Sequence, residues 1–150
     1  MNEEVLDRID RLKKDYSLQP CGRKHAVSFD ELSESSAVFS KAVESGDCVI
    51  DFDGSQKMAV QGGVIPIVAD FAGVYLARMH SSGRGITPLT HLDERYFRPF
   101  IFGVDQRIVV KASVLEITVG RYVISVTVEN EKGELKGRGQ LRFAQEFRNF

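Results

Sequence analysis

The sequence predicts an α+β domain in which an antiparallel sheet wraps around one long helix. Three observations carry that prediction. The stretch "QGGVIPIVADFAGVYLARMH", 61–80, is apolar nearly throughout and long enough for a core helix surrounded by other elements. From 107 to 145, β-branched and apolar residues fall at alternate positions, the period of strands with one buried face. Short links at Gly120 and at Glu131, Lys132 and Gly133 join these strands, which predicts a meander. A sheet with a single long helix to bury against satisfies both periodicities at once.

Taken in order, Val5, Leu6, Ile9 and Leu12 recur at helical spacing, so 3–15 is predicted to be a short amphipathic helix that packs or makes an oligomer contact. Residues 17–36, with Pro20, Gly22 and five serines, are expected to be irregular. "AVFSKAVES" (37–45) is expected to be a short helix, and "DCVIDFD" (47–53) a strand that turns through Gly54 and Ser55 toward the long helix. "SSGRG" ends that helix after His80, and strands follow over 89–97, 107–119, 121–130 and 134–145. The expected order is one strand, one long helix, then four strands. An N-terminal extension, 1–36, precedes the main domain, 37–150.

Composition narrows the function. The 150 residues, 43% hydrophobic, suit one compact domain. Twenty basic and 21 acidic residues leave a formal charge of −1, without the basic excess of broad phosphate-backbone binding, so no nucleic-acid partner is expected. Cys21 and Cys48 lack zinc-knuckle spacing and are too few for a disulfide framework. His25, His80 and His91 form no metal spacing either, and no metal or other cofactor is expected. The charged start "MNEEVLDRIDRLKKDY" lacks the order of a signal peptide, which makes the cytoplasm the expected compartment. Residues 58–77 approach the ~20 that span a bilayer. Gln61, Pro66, three glycines and Asp70 would all be costly in hydrocarbon, so no membrane partner is expected.

Asp70 stands alone as an acid near the middle of that apolar helix. Helix, glycine pair and carboxylate together resemble the hotdog-fold acyl-CoA thioesterases of the phenylacetic-acid-pathway type, whose motif runs His-Gly-Gly and then an acid seven residues beyond the second glycine. Here the run is Gln61, Gly62, Gly63, with Asp70 at that spacing. "RYFRPF" is similar to the family's aromatic-x-Arg-Pro strand end, and "VGRYVISVTVENEKGELKGRGQLRF" resembles its last two strands. The likeness spans roughly 37–145 and implies a hotdog fold, hydrolysis of acyl-CoA thioesters, and homodimers that assemble as tetramers.

The chemistry stands beside that resemblance. Thioester hydrolysis needs a group that activates water or attacks the carbonyl, and a donor for the negative oxygen. Asp70 can supply the first, as base or nucleophile. Gly62 or Gly63 can supply the second, because free N–H groups at a helix start point outward and glycine allows close approach. Gly62 and Asp70 are eight residues apart, about 12 Å along a helix axis, too far for one carbonyl to touch both on one helix. A working site therefore pairs Gly62 of one subunit with Asp70 of another, which requires a two-fold dimer.

This chain departs from the family at several points. Gln61 replaces the usual His and cannot transfer protons, though it can orient the loop or bond a carbonyl. Ser55 stands where Asn often positions the nucleophilic water. Leu89 takes the place of a Ser or Thr, with Thr87 and Thr90 nearby and Thr90 the substrate-binding candidate. Pro66 either kinks the helix beside the glycines or marks a delayed helix start. Coenzyme A needs cations for its phosphates, for which Arg98, Arg121 and Arg138 are candidates. His91, Asp93 and Arg95 read as an exposed strand face. Asp70 also has a structural reading, as a buried acid paired with Arg84, Arg95 or Arg98. Two other functions stay open: an acyl-CoA sensor without catalysis, and a dehydratase or hydratase, which would call for a His that the helix lacks before its end.

Overall fold

The structure, a computed structural model, describes residues 2–50, 54, 57–81 and 87–144. Helix α1 (Glu3–Ser17) begins where the Asn2 side chain accepts a hydrogen bond from the Glu4 N–H at 3.1 Å, with Glu3 and Glu4 at the positive end of the helix dipole. A short helix α2 (Pro20–Lys24) opens on proline, whose missing N–H costs nothing there. Strands β1 (Val27–Leu32) and β2 (Ser36–Ala42) follow, then the small ribbon of β3 (Cys48–Ile50) and β4 (Met58–Val60). Helix α3 (Val64–Arg78) leads into strands β5 (Leu89–Tyr96), β6 (Arg107–Thr118), β7 (Arg121–Glu129) and β8 (Leu135–Ala144).

Six strands form one antiparallel sheet in the order β1-β2-β6-β7-β8-β5. Strands β6, β7 and β8 make the predicted meander, and β5 closes one edge beside β8. Alternation sends Ala37 and Phe39, Ile108, Val110 and Ala112, Tyr122, Ile124, Val126 and Val128, and Leu141 and Phe143 to one buried face. Helix α3 lies on that face, chiefly against β6 and β2, and buries Val68, Ala69, Ala72, Leu76 and Ala77 completely. Gly73 sets the closeness of this packing, since a Cβ there would stand 2.8 Å from the Phe143 ring.

Two expectations are corrected. Residues 37–45 do not form a helix, because β2 sits between β1 and β6 with Ala37 and Phe39 fully inside the core. The helix-compatible Ala, Ser and Lys of "AVFSKA" are overruled by strand pairing on both sides. Nor is 17–36 irregular: it holds the end of α1, all of α2 and the edge strand β1. A bulge between Phe29 and Glu31 breaks the alternation of β1, hiding its period in the sequence. Of the expected strand 47–53, β3 covers Cys48–Ile50, and 51–53 lie outside the described residues.

The N-terminal helix is stitched to the domain. Arg8 donates to the Met79 carbonyl at 2.6 Å, and Tyr16 donates to the Val27 carbonyl. The Tyr16 ring meets Phe29, Phe39, Phe71 and Tyr75 at centroid distances of 5.4–5.7 Å, mostly edge to face. Burial of this aromatic cluster joins α1, β1, β2 and α3 into one core.

Candidate active site on the open side of the central helix

The start of α3 is built from its glycines. Gly63 is the N-cap residue and offers no side chain to the first turn, so the helix begins at Val64. Pro66 is thus its third residue, where an N–H has no intrahelical partner in any case, and the delayed start is the outcome. The Gln61 carbonyl accepts from the Val64 N–H at 3.0 Å, while the Gln61 N–H donates to the Asp47 carbonyl at 2.9 Å and fixes the approach. Among the described residues neither the Gly62 nor the Gly63 N–H has a hydrogen-bond partner. Gly62 is exposed, with no atom within 4 Å of the place a Cβ would take. The Gln61 side-chain oxygen stands 3.1 Å from the corresponding point at Gly63, so its amide covers one of the two glycines.

Along α3 the half-buried residues are Val64, Pro66, Ile67, Asp70, Phe71, Val74 and Arg78, of which Phe71 also stacks on Phe39 of β2 at 6.5 Å. Asp70 is the one acid of this stripe, and burial pushes its carboxyl above the usual carboxylate range. It makes no ion pair or hydrogen bond with any described residue. Two of its three candidate arginine partners are placed elsewhere: Arg98 pairs with Glu134 at 3.1 Å, and Arg95 belongs to the outer face of β5. Arg84 lies outside the described residues. A desolvated carboxylate with no cation among the described residues is poised to take a proton, because what raises its pKa also raises its basicity.

The other predicted residues do not gather round it within one chain. Thr90 occupies the bulge of β5, where its hydroxyl donates to the Arg142 carbonyl at 3.0 Å. Arg121 opens β7 and is exposed. Arg138 lies on the face of the sheet opposite α3, stacked on Phe97 at 5.2 Å, and lines an open cavity of about 640 Å³ with Arg95 and Gln140. Ser55 lies outside the described residues. His91, Asp93 and Arg95 are exposed.

One further acid went unread in the sequence. Glu94 points to the inner face of β5 opposite Gly139, whose lack of a side chain makes room for it: a Cβ there would fall 2.8 Å from the Glu94 Cγ. Tyr96 donates its hydroxyl to Oε2 of Glu94, while Oε1 is buried with no partner among the described residues. Burial raises the Glu94 carboxyl, against the opposing pull of the Tyr96 bond. The signal was the same alternation that put Asp93 and Arg95 outside.

Among the described residues no group of three or more His, Cys, Asp or Glu side chains is arranged to hold a metal, and no helix is long and apolar enough to cross a membrane. No known protein family and no curated protein matches the sequence. Solved structures do match. The chain is similar to AziG of S. sahachiroi over 86% of its own length and 98% of the other, at 22% identity and a TM-score of 0.73. It is similar to the E. coli PaaI protein from the phenylacetic acid degradation operon over 95% and 96%, at 15% identity and 0.78. Thioesterase HI1161 from Haemophilus influenzae aligns over 87% and 85%, at 12% identity and 0.72. This is the hotdog fold of the thioesterase-superfamily structures, a sheet wrapped on a central helix.

Proposed function

We propose that the protein hydrolyses acyl-CoA thioesters to the free acid and coenzyme A, in a site shared by two copies of the chain. The observation that carries this reading is a desolvated Asp70 with no partner among the described residues, on the same helix whose first glycines have N–H groups that no described residue engages. The likeness to PaaI and to thioesterase HI1161 supports the choice of substrate class.

In this reading the thioester carbonyl oxygen accepts a hydrogen bond from the Gly62 N–H of one subunit, aided by the positive end of the α3 dipole. Asp70 of the other subunit removes a proton from water as the water oxygen bonds to the carbonyl carbon; acting instead as nucleophile it bonds that carbon itself, and water later hydrolyses the acyl-Asp70 anhydride to the free acid and the carboxylate. The tetrahedral intermediate collapses, its C–S bond breaks, and coenzyme A leaves as the thiolate, which is neutralised by the proton that the attacking or hydrolysing water gives up. Gln61 orients the helix entry without titrating, and Arg138 beside Arg95 offers cations to the phosphates of coenzyme A. Thr90, Arg98 and Arg121 are weaker contributors, since the first two already have partners.

Complementation tests the shared site. Asp70→Asn and Gly62→Pro subunits, each inactive alone, should regain up to one working site per heterodimer when mixed. Heterodimers that form yet release no coenzyme A would refute it. Tight acyl-CoA binding by the wild type without turnover would select the alternative of a non-catalytic acyl-CoA sensor, a reading favoured by the non-titrating Gln61.

A further inference from the structure

The stripe that carries Asp70 continues through Val74 to Arg78, at positions four and eight residues on, so all three share one helix face. It ends in a second cavity, about 210 Å³, lined by Gln19, Phe71, Val74, Tyr75, Arg78 and Thr87. At roughly 30 Å³ per water this space holds about seven water-sized groups. Its walls are apolar or aromatic, and its far end is polar.

That far end is built by the segment before β1. Asp15 accepts from the Tyr75 hydroxyl at 2.8 Å and pairs with the Arg78 guanidinium at 2.7 Å, while the Gln19 side-chain N–H donates to the same carboxylate at 3.3 Å. The charge of Arg78 is therefore already balanced. Its guanidinium has five N–H donors, and among the described residues a single nitrogen is engaged. The Gln19 side-chain oxygen accepts nothing from a described residue.

We infer that this cavity is the distal end of the acyl site, and that it selects acyl groups ending in a neutral hydroxyl over plain alkyl chains and over chains ending in a carboxylate. The inference rests on the thioesterase reading of Asp70. A hydroxyl can accept from an unused Arg78 N–H and donate to the Gln19 oxygen. A methyl end would leave those groups desolvated and unpaired. A carboxylate would have to compete with Asp15 for Arg78 while lying beside the Asp15 charge. From Asp70 to Arg78 the axial rise is about 12 Å, a span suited to a six-carbon chain with a terminal hydroxyl once ~3 Å is allowed for contact at each end.

The experiment compares 6-hydroxyhexanoyl-CoA, hexanoyl-CoA and adipoyl-CoA, in turnover and in calorimetric binding, for the wild type, Gln19→Leu and Arg78→Met. The hydroxy thioester should lead by about tenfold or more in kcat/KM, and each variant should cut that lead to about twofold or less. Equal handling of all three thioesters, a lead for adipoyl-CoA, or a hydroxyl preference untouched by both variants would overturn the inference. If none is turned over, a hydroxyl preference in Kd that both variants remove sustains the pocket while ending the hydrolase reading; absence of that preference ends the pocket as well. Should Arg78→Met fail to fold, Gln19→Leu decides.

Discussion

Asp105 and Asp70 are two carboxylates that the same fold treats in opposite ways. Asp105 is 3% exposed and fully provided for: Asn130 donates at 2.9 Å, the Ile101 N–H at 2.8 Å, and the Lys136 ammonium stands 3.2 Å away. Burial alone would raise its carboxyl, but the bonds from Asn130 and Ile101 and the bond and charge of Lys136 outweigh it and hold the group below the usual range. Asp70 has burial without any such compensation among the described residues, and its carboxyl rises. The contrast shows that the fold can satisfy a buried acid where structure is the purpose. An acid left without a described partner, on the same helix face as the cavity-lining Val74 and Arg78, is a candidate for chemistry.

The largest expected effect separates the two by activity. Asp70→Asn should lower kcat by about 10²–10⁴-fold, the usual worth of a general base, measured as release of free coenzyme A. An active Asp70→Asn protein would place Asp70 beside Asp105 as a structural acid.

Next comes stability. Lys136→Met removes the cation from a buried pair, leaving Asp105 charged and dry, and should cost about 3–5 kcal/mol in denaturant unfolding. A loss under about 1 kcal/mol would mean that Asn130 and the Ile101 N–H hold Asp105 by themselves.

The smallest effect has a distinctive sign. Because the folded pKa of Asp70 is raised, its favourable contribution is full below its unfolded pKa and is lost as pH rises through the folded value. Asp70→Asn should therefore raise the unfolding temperature near neutral pH, and the gap over the wild type should close in acid. Asp105 behaves inversely, its contribution being present above the unfolded pKa and lost as pH falls through the lowered folded value. A variant less stable than the wild type at neutral pH would reveal a partner for the Asp70 carboxylate.

Much of this frame was legible in the chain. The apolar run that became α3 and the alternation that became β6 to β8 report burial directly, because side chains facing a core must be apolar whatever the neighbouring element. The glycine pair and Asp70 were readable as a motif. What stayed hidden depends on partners far along the sequence. Strand β2 is a strand because β1 and β6 flank it. The Glu94 and Tyr96 pair finds space over Gly137 and Gly139 of another strand, and the polar end of the second cavity joins Asp15 and Gln19 to residues of α3 some 60 positions later.

By itself, then, the sequence determined which segments face water and which face the core, and it placed an acid and two glycines at fixed separations on one helix. Periodicity is local, so it survives in one dimension. Tertiary structure decided which charges are neutralised: it gave Lys136 to Asp105 and Asp15 to Arg78, and left Asp70 without a described partner. Coulomb and hydrogen-bond energies depend on distances in space, which separation along the chain does not specify.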